Sequence, residues 1–185
     1  MCDENCLQFL QSELPATVLT GASILEVGAR DVNGSIRPYV ESFRPHSYLG
    51  VDLQPGPKVD DIVNVTDLVS RFGTAVFDVV ISTEMLEHVL DWRLAVHNLK
   101  QVLRPGGILA LTTRTIAFPY HEFPGDFWRY EPCDFELIFA DFEILCLQRL
   151  PACGVGLIAK RPMATDRLVD LDRIELYRVH PSHLE

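Results

Sequence analysis

Residues Ile24-Leu-Glu-Val-Gly-Ala-Arg-Asp-Val-Asn-Gly-Ser35, followed by Tyr48-Leu-Gly-Val-Asp52, decide the reading of this chain. They spell an apolar strand, a glycine-bearing turn, a helix start, and a second strand that ends in a carboxylate. That order is the signature of a nucleoside-cofactor site. Glycines let the backbone approach a ligand, and the carboxylate can accept both hydroxyls of a ribose. The run 23–28 is nearly all apolar, which predicts a strand buried on both faces.

Outward from this stretch, strands and helices alternate. Cys6, Leu7, Phe9, Leu10 and Leu14 fall at helical spacing, and Pro15 closes that helix. A helix is predicted over 35–43, capped by Asn33 or Ser35. A turn follows at 54–57, a strand at 61–65, and a short helix over 67–72 capped by Thr66. Phe77-Asp-Val-Val-Ile-Ser82 reads as a fourth strand. An amphipathic helix over 91–103 is broken by Arg104-Pro-Gly-Gly107, and a fifth strand covers 108–113. Residues 114–130 read as an irregular aromatic loop and 131–139 as a helix. Strands at 142–150 and 154–160 are joined by Pro151-Ala-Cys-Gly154, a hairpin spacing.

The alternation predicts an α/β fold: one doubly wound, mostly parallel seven-stranded sheet with an antiparallel final strand, Rossmann-like in layout. The domain spans 1–162, with an N-terminal helix at 1–15 and a substrate-side loop at 114–130. In the tail, 163–185, Leu168, Leu171, Ile174 and Tyr177 recur every three residues. That spacing predicts a short amphipathic helix, docked on the body or on a second chain, so the protein is expected as a monomer or homodimer.

A length of 185 residues suits one domain with a sizeable core. The 48% apolar and 23% charged fractions are ordinary for a soluble globular protein. The net charge of −10 argues against a nucleic-acid partner and an anionic membrane surface, because both need clustered Lys and Arg. The five cysteines are Cys2, Cys6, Cys133, Cys146 and Cys153. No second Cys/His pair completes a zinc site with Cys2 and Cys6, so no metal is expected and all five read as thiols of a reducing cytoplasm. No apolar run reaches the roughly 18 residues of a membrane span, and the acidic start is unlike a signal peptide.

The glycine turn carries chemical information. A common dinucleotide fingerprint has a middle glycine and places a pyrophosphate at a helix N-terminus. Here Gly28 and Gly34 enclose none, and Glu26 stands just before the turn. Glu26 and Asp31 would repel a pyrophosphate and attract a cofactor bearing a sulfonium and an ammonium. The plainer alternative is a tight strand-to-helix turn without a ligand. Asp52 is either a ribose acceptor or a solvated turn aspartate. Ligands bind outside the carboxyl ends of parallel strands. Ser82-Thr-Glu84 should therefore line the crevice, while Glu87 and His88 either reach into it or pair on the following helix.

These pieces resemble the class I S-adenosylmethionine-dependent methyltransferases of the small-molecule, methyltransferase type 11-like kind. The matching segments are Ile24-Leu-Glu-Val-Gly28, Gly50-Val-Asp52, Phe77-Asp-Val-Val-Ile-Ser82, Glu87-His-Val89 and Leu103-Arg-Pro-Gly-Gly-Ile-Leu109, in family order. The resemblance implies S-adenosyl-L-methionine as cofactor. It places Glu26 and Gly28 near the methionine moiety, Asp52 on the ribose, and 66–68 near the adenine with Asp67 as the candidate. It implies methyl transfer to an oxygen or nitrogen of a small-molecule, glycan or lipid-like acceptor. The chain departs from the family's usual Gly-x-Gly-x-Gly, so Arg30, Asp31 and Asn33 must fold differently around the methionine end. The competing readings are a cofactor-binding relative without turnover and a nicotinamide-linked oxidoreductase, the latter disfavoured by the missing glycine and by Glu26.

After the fifth strand comes His121-Glu-Phe-Pro-Gly-Asp-Phe-Trp-Arg-Tyr130, which in this architecture overhangs the methyl group. Tyr120, Phe123, Phe127, Trp128 and Tyr130 can wall off water. His121 or Asp126 can take a proton, and Arg129 can hold a carboxylate or phosphate. Asp126, Arg129 and Tyr130 are thus the substrate candidates. The alternative is a self-packed loop in which Arg129 pairs with Asp126. Methyl transfer chiefly needs alignment and a dry cleft, with a base only where the acceptor must lose a proton. His121 is the first candidate for that base and His88 the second.

Overall fold

Consecutive residues of the first apolar run pack on opposite faces of one sheet. Ile24 joins Phe9, Leu10, Ile36 and Val40 in one core layer, whereas Leu25 and Val27 join Trp92, Val96, Leu99 and Phe135 in the other. The fourth strand repeats this, with Val79 and Ile81 in the first layer and Val80 in the second. Two covered faces explain why these strands are continuously apolar instead of alternating.

The computed structural model describes residues 3–122, 125–164 and 169–179. In chain order the elements are α1 (Glu4–Glu13), α2 (Ala16–Leu19), β1 (Ser23–Val27), α3 (Arg37–Ser42), β2 (Ser47–Asp52), β3 (Asp61–Ile62), α4 (Leu68–Phe72), β4 (Phe77–Thr83), α5 (Trp92–Val102), β5 (Leu103–Arg114), β6 (Trp128–Arg129), α6 (Pro132–Ile138), β7 (Glu143–Leu150), β8 (Gly154–Lys160) and β9 (Tyr177–Arg178). The seven-stranded sheet has the order β3-β2-β1-β4-β5-β8-β7. β1 to β5 pair in parallel, and β8 runs antiparallel to both β5 and β7. The sheet is the predicted one, with the antiparallel strand inserted between β5 and β7. The chain leaves β1 toward β2 and β3 on one side, then returns to β4 and β5 on the other. A crevice opens where that order reverses, outside the carboxyl ends of β1 and β4.

Several boundaries differ from expectation. β3 stops at Ile62 because the Asn64 side chain accepts the Thr66 N–H at 3.1 Å and turns the chain into a 3-10 turn over Val65–Asp67. α3 is shorter than 35–43, with the Ser35 hydroxyl accepting the Arg37 N–H at 3.2 Å. β5 begins at Leu103, so Arg104-Pro-Gly-Gly107 lies within the strand. α2 was not expected. α5 matches its prediction, with Asp91 capping the Leu94 N–H at 3.1 Å.

The tail departs most. Residues 169–179 form no amphipathic helix: a 3-10 turn over Leu171–Arg173 leads to β9, which pairs antiparallel with β6. The Arg93 guanidinium donates to the carbonyls of Leu171 at 3.0 Å and Ile174 at 2.7 Å. Those acceptors, and the β6 edge, claim backbone groups that a helix would need for itself. Leu168, Phe123 and Cys2 lie outside the described residues.

Candidate active site

A cavity of about 420 Å³ occupies the crevice at the carboxyl ends of β1, β2 and β4. Glu26, Gly28, Gly34, Asp52, Glu84 and His88 are among its lining residues. Val32, Leu53 and Leu90 border it with exposed apolar side chains. The volume and the mix of apolar wall with a few polar groups suit a small organic ligand.

The glycine loop is pinned to β2 rather than wrapped loosely. Gly28 and Ala29 donate to the Val51 carbonyl at 2.9 and 3.0 Å, and Arg30 N–H donates to Asp52 Oδ2 at 3.2 Å. Gly28 has φ of +80°, and a Cβ there would lie 2.9 Å from Met85 Cβ. Gly34 has φ of +136°, and its N–H donates to Asp31 Oδ1 at 3.1 Å. Asp31 therefore closes the stretched turn by its side chain. Arg30 reaches away over the 54–57 turn, donating to Gln54 Oε1 at 2.6 Å.

Glu26 is 3% exposed and accepts the Tyr48 hydroxyl at 2.7 Å. Burial pushes its carboxyl up to about 7, against the Tyr48 hydrogen bond that favours the charged form. Asp52 lines the cavity at the end of β2, its two oxygens also accepting the N–H groups of Arg30 and Gln54. Asp67 does not line the cavity. It is exposed beside Asn64 and Arg71 on a separate shallow pocket, because the 3-10 turn presents Asn64, Val65 and Thr66 to the crevice instead. Ser82 is also off the wall: it is 1% exposed, and Thr83, Glu84 and Met85 take the rim of β4.

His88 is on the cavity wall and His121 stands against it, ring centroids 4.8 Å apart and edge-on at 69°. His121 is not among the cavity-lining residues, so of the two histidines it is His88 that faces the crevice. His88 Nδ1 hydrogen-bonds the Gly125 carbonyl, and His121 Nδ1 hydrogen-bonds Asp126 Oδ2 at 3.1 Å. Burial holds the His121 imidazolium below the usual histidine range, opposed by the Asp126 and Glu87 carboxylates. Glu87 is wholly buried: its Oε2 accepts the Thr113 hydroxyl at 2.7 Å, and its Oε1 lies 3.8 Å from His88 Nε2.

The proposed substrate contacts Asp126, Arg129 and Tyr130 are turned inward. Arg129 is 1% exposed and Asp126 4%. The guanidinium donates to both Asp126 oxygens and to the carbonyls of Phe118, Trp128 and Pro119, which uses every N–H it has. Burial opposes it, yet the Arg129 hydrogen bonds and the His121 N–H hold the Asp126 carboxyl below the ordinary range. Tyr130 is fully buried against Trp92 and Phe135. The loop is thus self-packed around the Asp126–Arg129 pair. Among the described loop aromatics Phe127 reaches the cavity, while the Trp128 indole donates to the Val89 carbonyl at 3.0 Å.

The sequence matches the methyltransferase domain family over residues 3–141. The chain belongs to that family. No curated protein matches the sequence of this methyltransferase-domain chain. Its fold is that of the class I S-adenosylmethionine-dependent methyltransferases. The Burkholderia thailandensis 1,6-didemethyltoxoflavin-N1-methyltransferase, solved with 1,6-didemethyltoxoflavin and S-adenosylhomocysteine, superposes with a TM-score of 0.64 at 21% identity, over 86% of this chain and 80% of that one. A Mesorhizobium loti S-adenosylmethionine-dependent methyltransferase gives 0.61 at 16%, over 83% and 96%. The cyclase SpnF gives 0.65 at 18%, over 86% and 81%.

Glu84 lines the cavity as expected, but the contacts that hold it there were not legible in the sequence. Glu84 adopts φ of +49°, an uncommon backbone for a non-glycine residue, at the point where β4 turns out of the sheet. Its buried carboxylate forms an ion pair with Arg114 and accepts the Cys6 thiol at 3.2 Å, while Arg114 also reaches Asp3 at 3.2 Å. The N-terminal helix α1 is thereby clamped to the ends of β4 and β5. Three segments so far apart in sequence, around Cys6, Glu84 and Arg114, leave no local pattern to read.

Proposed function

We propose that this chain is an S-adenosylmethionine-dependent methyltransferase acting on an oxygen or nitrogen atom of a small-molecule, glycan or lipid-like acceptor. The observation that carries the reading is one cavity with Glu26, Gly28 and Asp52 at its β1–β2 end and His88 at its β4 end. Those residues fit the cofactor. Gly28, whose missing Cβ lets the turn after β1 pack directly on Met85, contributes backbone to the cavity wall. Glu26, buried and reluctant to ionise alone, suits an ammonium, and Asp52 suits a ribose diol. When bound, S-adenosylmethionine would supply a methyl carbon open to in-line attack by an acceptor lone pair, the C–S bond breaking and its electron pair leaving with sulfur as the neutral thioether.

The protein's share is placement and desolvation. Phe127, Val89 and Leu90 wall the side where an acceptor would lie. With Nδ1 committed to the Gly125 carbonyl, His88 keeps Nε2 for the acceptor's proton. His121 is a positioning residue in this scheme: held by Asp126, it packs against the His88 ring. No helix among the described residues is long and apolar enough to cross a membrane. That Cys133, Cys146 and Cys153 are thiols and not disulfides favours a reducing compartment such as the cytoplasm.

Calorimetry tests the cofactor. S-adenosylhomocysteine should bind and NAD should not, and Asp52→Ala should weaken the first at least about tenfold, the worth of a charge-assisted hydrogen bond. Preference for NAD would overturn the reading. A chain that binds S-adenosylhomocysteine but methylates nothing in a broad acceptor panel would be a binding relative without turnover.

A further inference from the structure

We propose that Glu87, His88 and His121 form a binding site for one first-row divalent cation on the acceptor side of the cavity. A carboxylate oxygen and one nitrogen of each ring lie within 4.8 Å of one another. The arrangement around them is that of metal-ligating histidines. The Nδ1 side of His88 is engaged by the Gly125 carbonyl and that of His121 by the Asp126 carboxylate, which is itself held by Arg129. Such outer partners fix the ring and its tautomer, and leave Nε2 as the lone-pair donor.

Glu87 supplies the independent observation. Its carboxylate is wholly buried, the Thr113 hydroxyl satisfies Oε2, and Oε1 has no hydrogen-bond partner. A buried carboxylate oxygen without a donor is costly. It faces His88 Nε2 at 3.8 Å, and a cation between them would satisfy both. Ligand–metal distances of about 2.1 Å require the three donors to draw together by on the order of 1 Å.

Two imidazoles and one carboxylate suit zinc, cobalt, iron or manganese and leave coordination positions open. Because His88 lines the cavity, those positions open toward it. A methyl acceptor offering oxygen donors can complete the shell, which narrows the acceptor to an oxygen-rich one. That last step rests on the proposed methyltransferase reading; the binding of the cation does not. With the cation in place, His88 Nε2 is a ligand, and the cation takes over from the imidazole in polarising the acceptor.

The test uses the full chain, stripped with a chelator and titrated with Co²⁺ alone, read by its visible absorption and by calorimetry. The expected result is one ion per chain with the spectrum of nitrogen–oxygen ligation. Glu87→Gln and His121→Ala should each weaken it roughly 10- to 100-fold. His121 is partly exposed, so its variant serves if Glu87→Gln fails to fold. No Co²⁺ uptake, or uptake that both variants leave unchanged, overturns the proposal. S-adenosylhomocysteine affinity, measured on the same samples, should stay within about threefold; if it binds while Co²⁺ does not, only the metal site falls.

Discussion

The Tyr48 hydroxyl donates a 2.7 Å hydrogen bond to the buried Glu26 carboxylate across the β1–β2 pair. Glu26 and Gly50 are register partners in that pair, which places Tyr48 two positions away on the same face. The bond holds the carboxylate in place at the cavity wall, while burial keeps its pKa at about 7. The site therefore contains an acid whose ionisation responds to a ligand near neutral pH.

Binding of S-adenosylhomocysteine should strengthen as pH rises through about 7, because its ammonium favours the ionised Glu26. Glu26→Gln should flatten that dependence and weaken binding. Calorimetry on both proteins across this range checks it.

The same group makes a stability prediction of opposite sense. Between an unfolded value near 4.5 and the folded value of about 7, the native state holds more protons than the unfolded chain. Stability should therefore fall as pH rises through that window and level off above it, by up to about 3 kcal/mol. Glu26→Gln should lose that slope in urea unfolding.

Arg129→Ala should act on stability, not on substrate affinity. It leaves Asp126 buried without its partner, at a cost of about 3–5 kcal/mol. Arg129→Lys should recover only part of this, because an ammonium has too few donors for the five contacts. Denaturant unfolding gives the cost, and KM on an identified acceptor should not rise in proportion.

Gly28→Ala meets both a φ of +80° and the Met85 side chain at 2.9 Å. The left-handed backbone alone costs roughly 1–2 kcal/mol. Thermal unfolding should show that loss, and S-adenosylhomocysteine affinity should drop with it.

His88→Ala should lower turnover by about 100-fold or more while S-adenosylhomocysteine affinity is retained. His121→Ala should lower it less where the imidazole alone serves as base, because His121 supports His88 without lining the cavity. Rates and affinities measured on the same preparations separate the two.

What could be read from the chain alone was whatever repeats over a few residues. The apolar runs, the helix periodicity of 91–103, Gly28, and Asp52 at the end of a strand are local, and each keeps its place in the fold. The stretched turn was legible as unusual, but its closure by Asp31 and Gly34 was not. The helix expected in the tail failed because Arg93 and β6 compete for its backbone groups, and neither lies nearby in sequence.

The sequence by itself therefore determined the layers, the strand succession and the places of Glu26, Gly28, Gly34 and Asp52 on the cavity wall, though not those of Asp67 and Ser82, since hydrophobic period and glycine chemistry act over one element. Only the tertiary structure decided the end of the cavity beside β4 and β5. Whether Arg129 faces a substrate or Asp126, and whether His121 meets His88 and Glu87, depends on how the loop after β5 folds back on the turn after β4. Burial makes that choice: a guanidinium deprived of water must find every partner inside, and Asp126 with three nearby carbonyls supplied them.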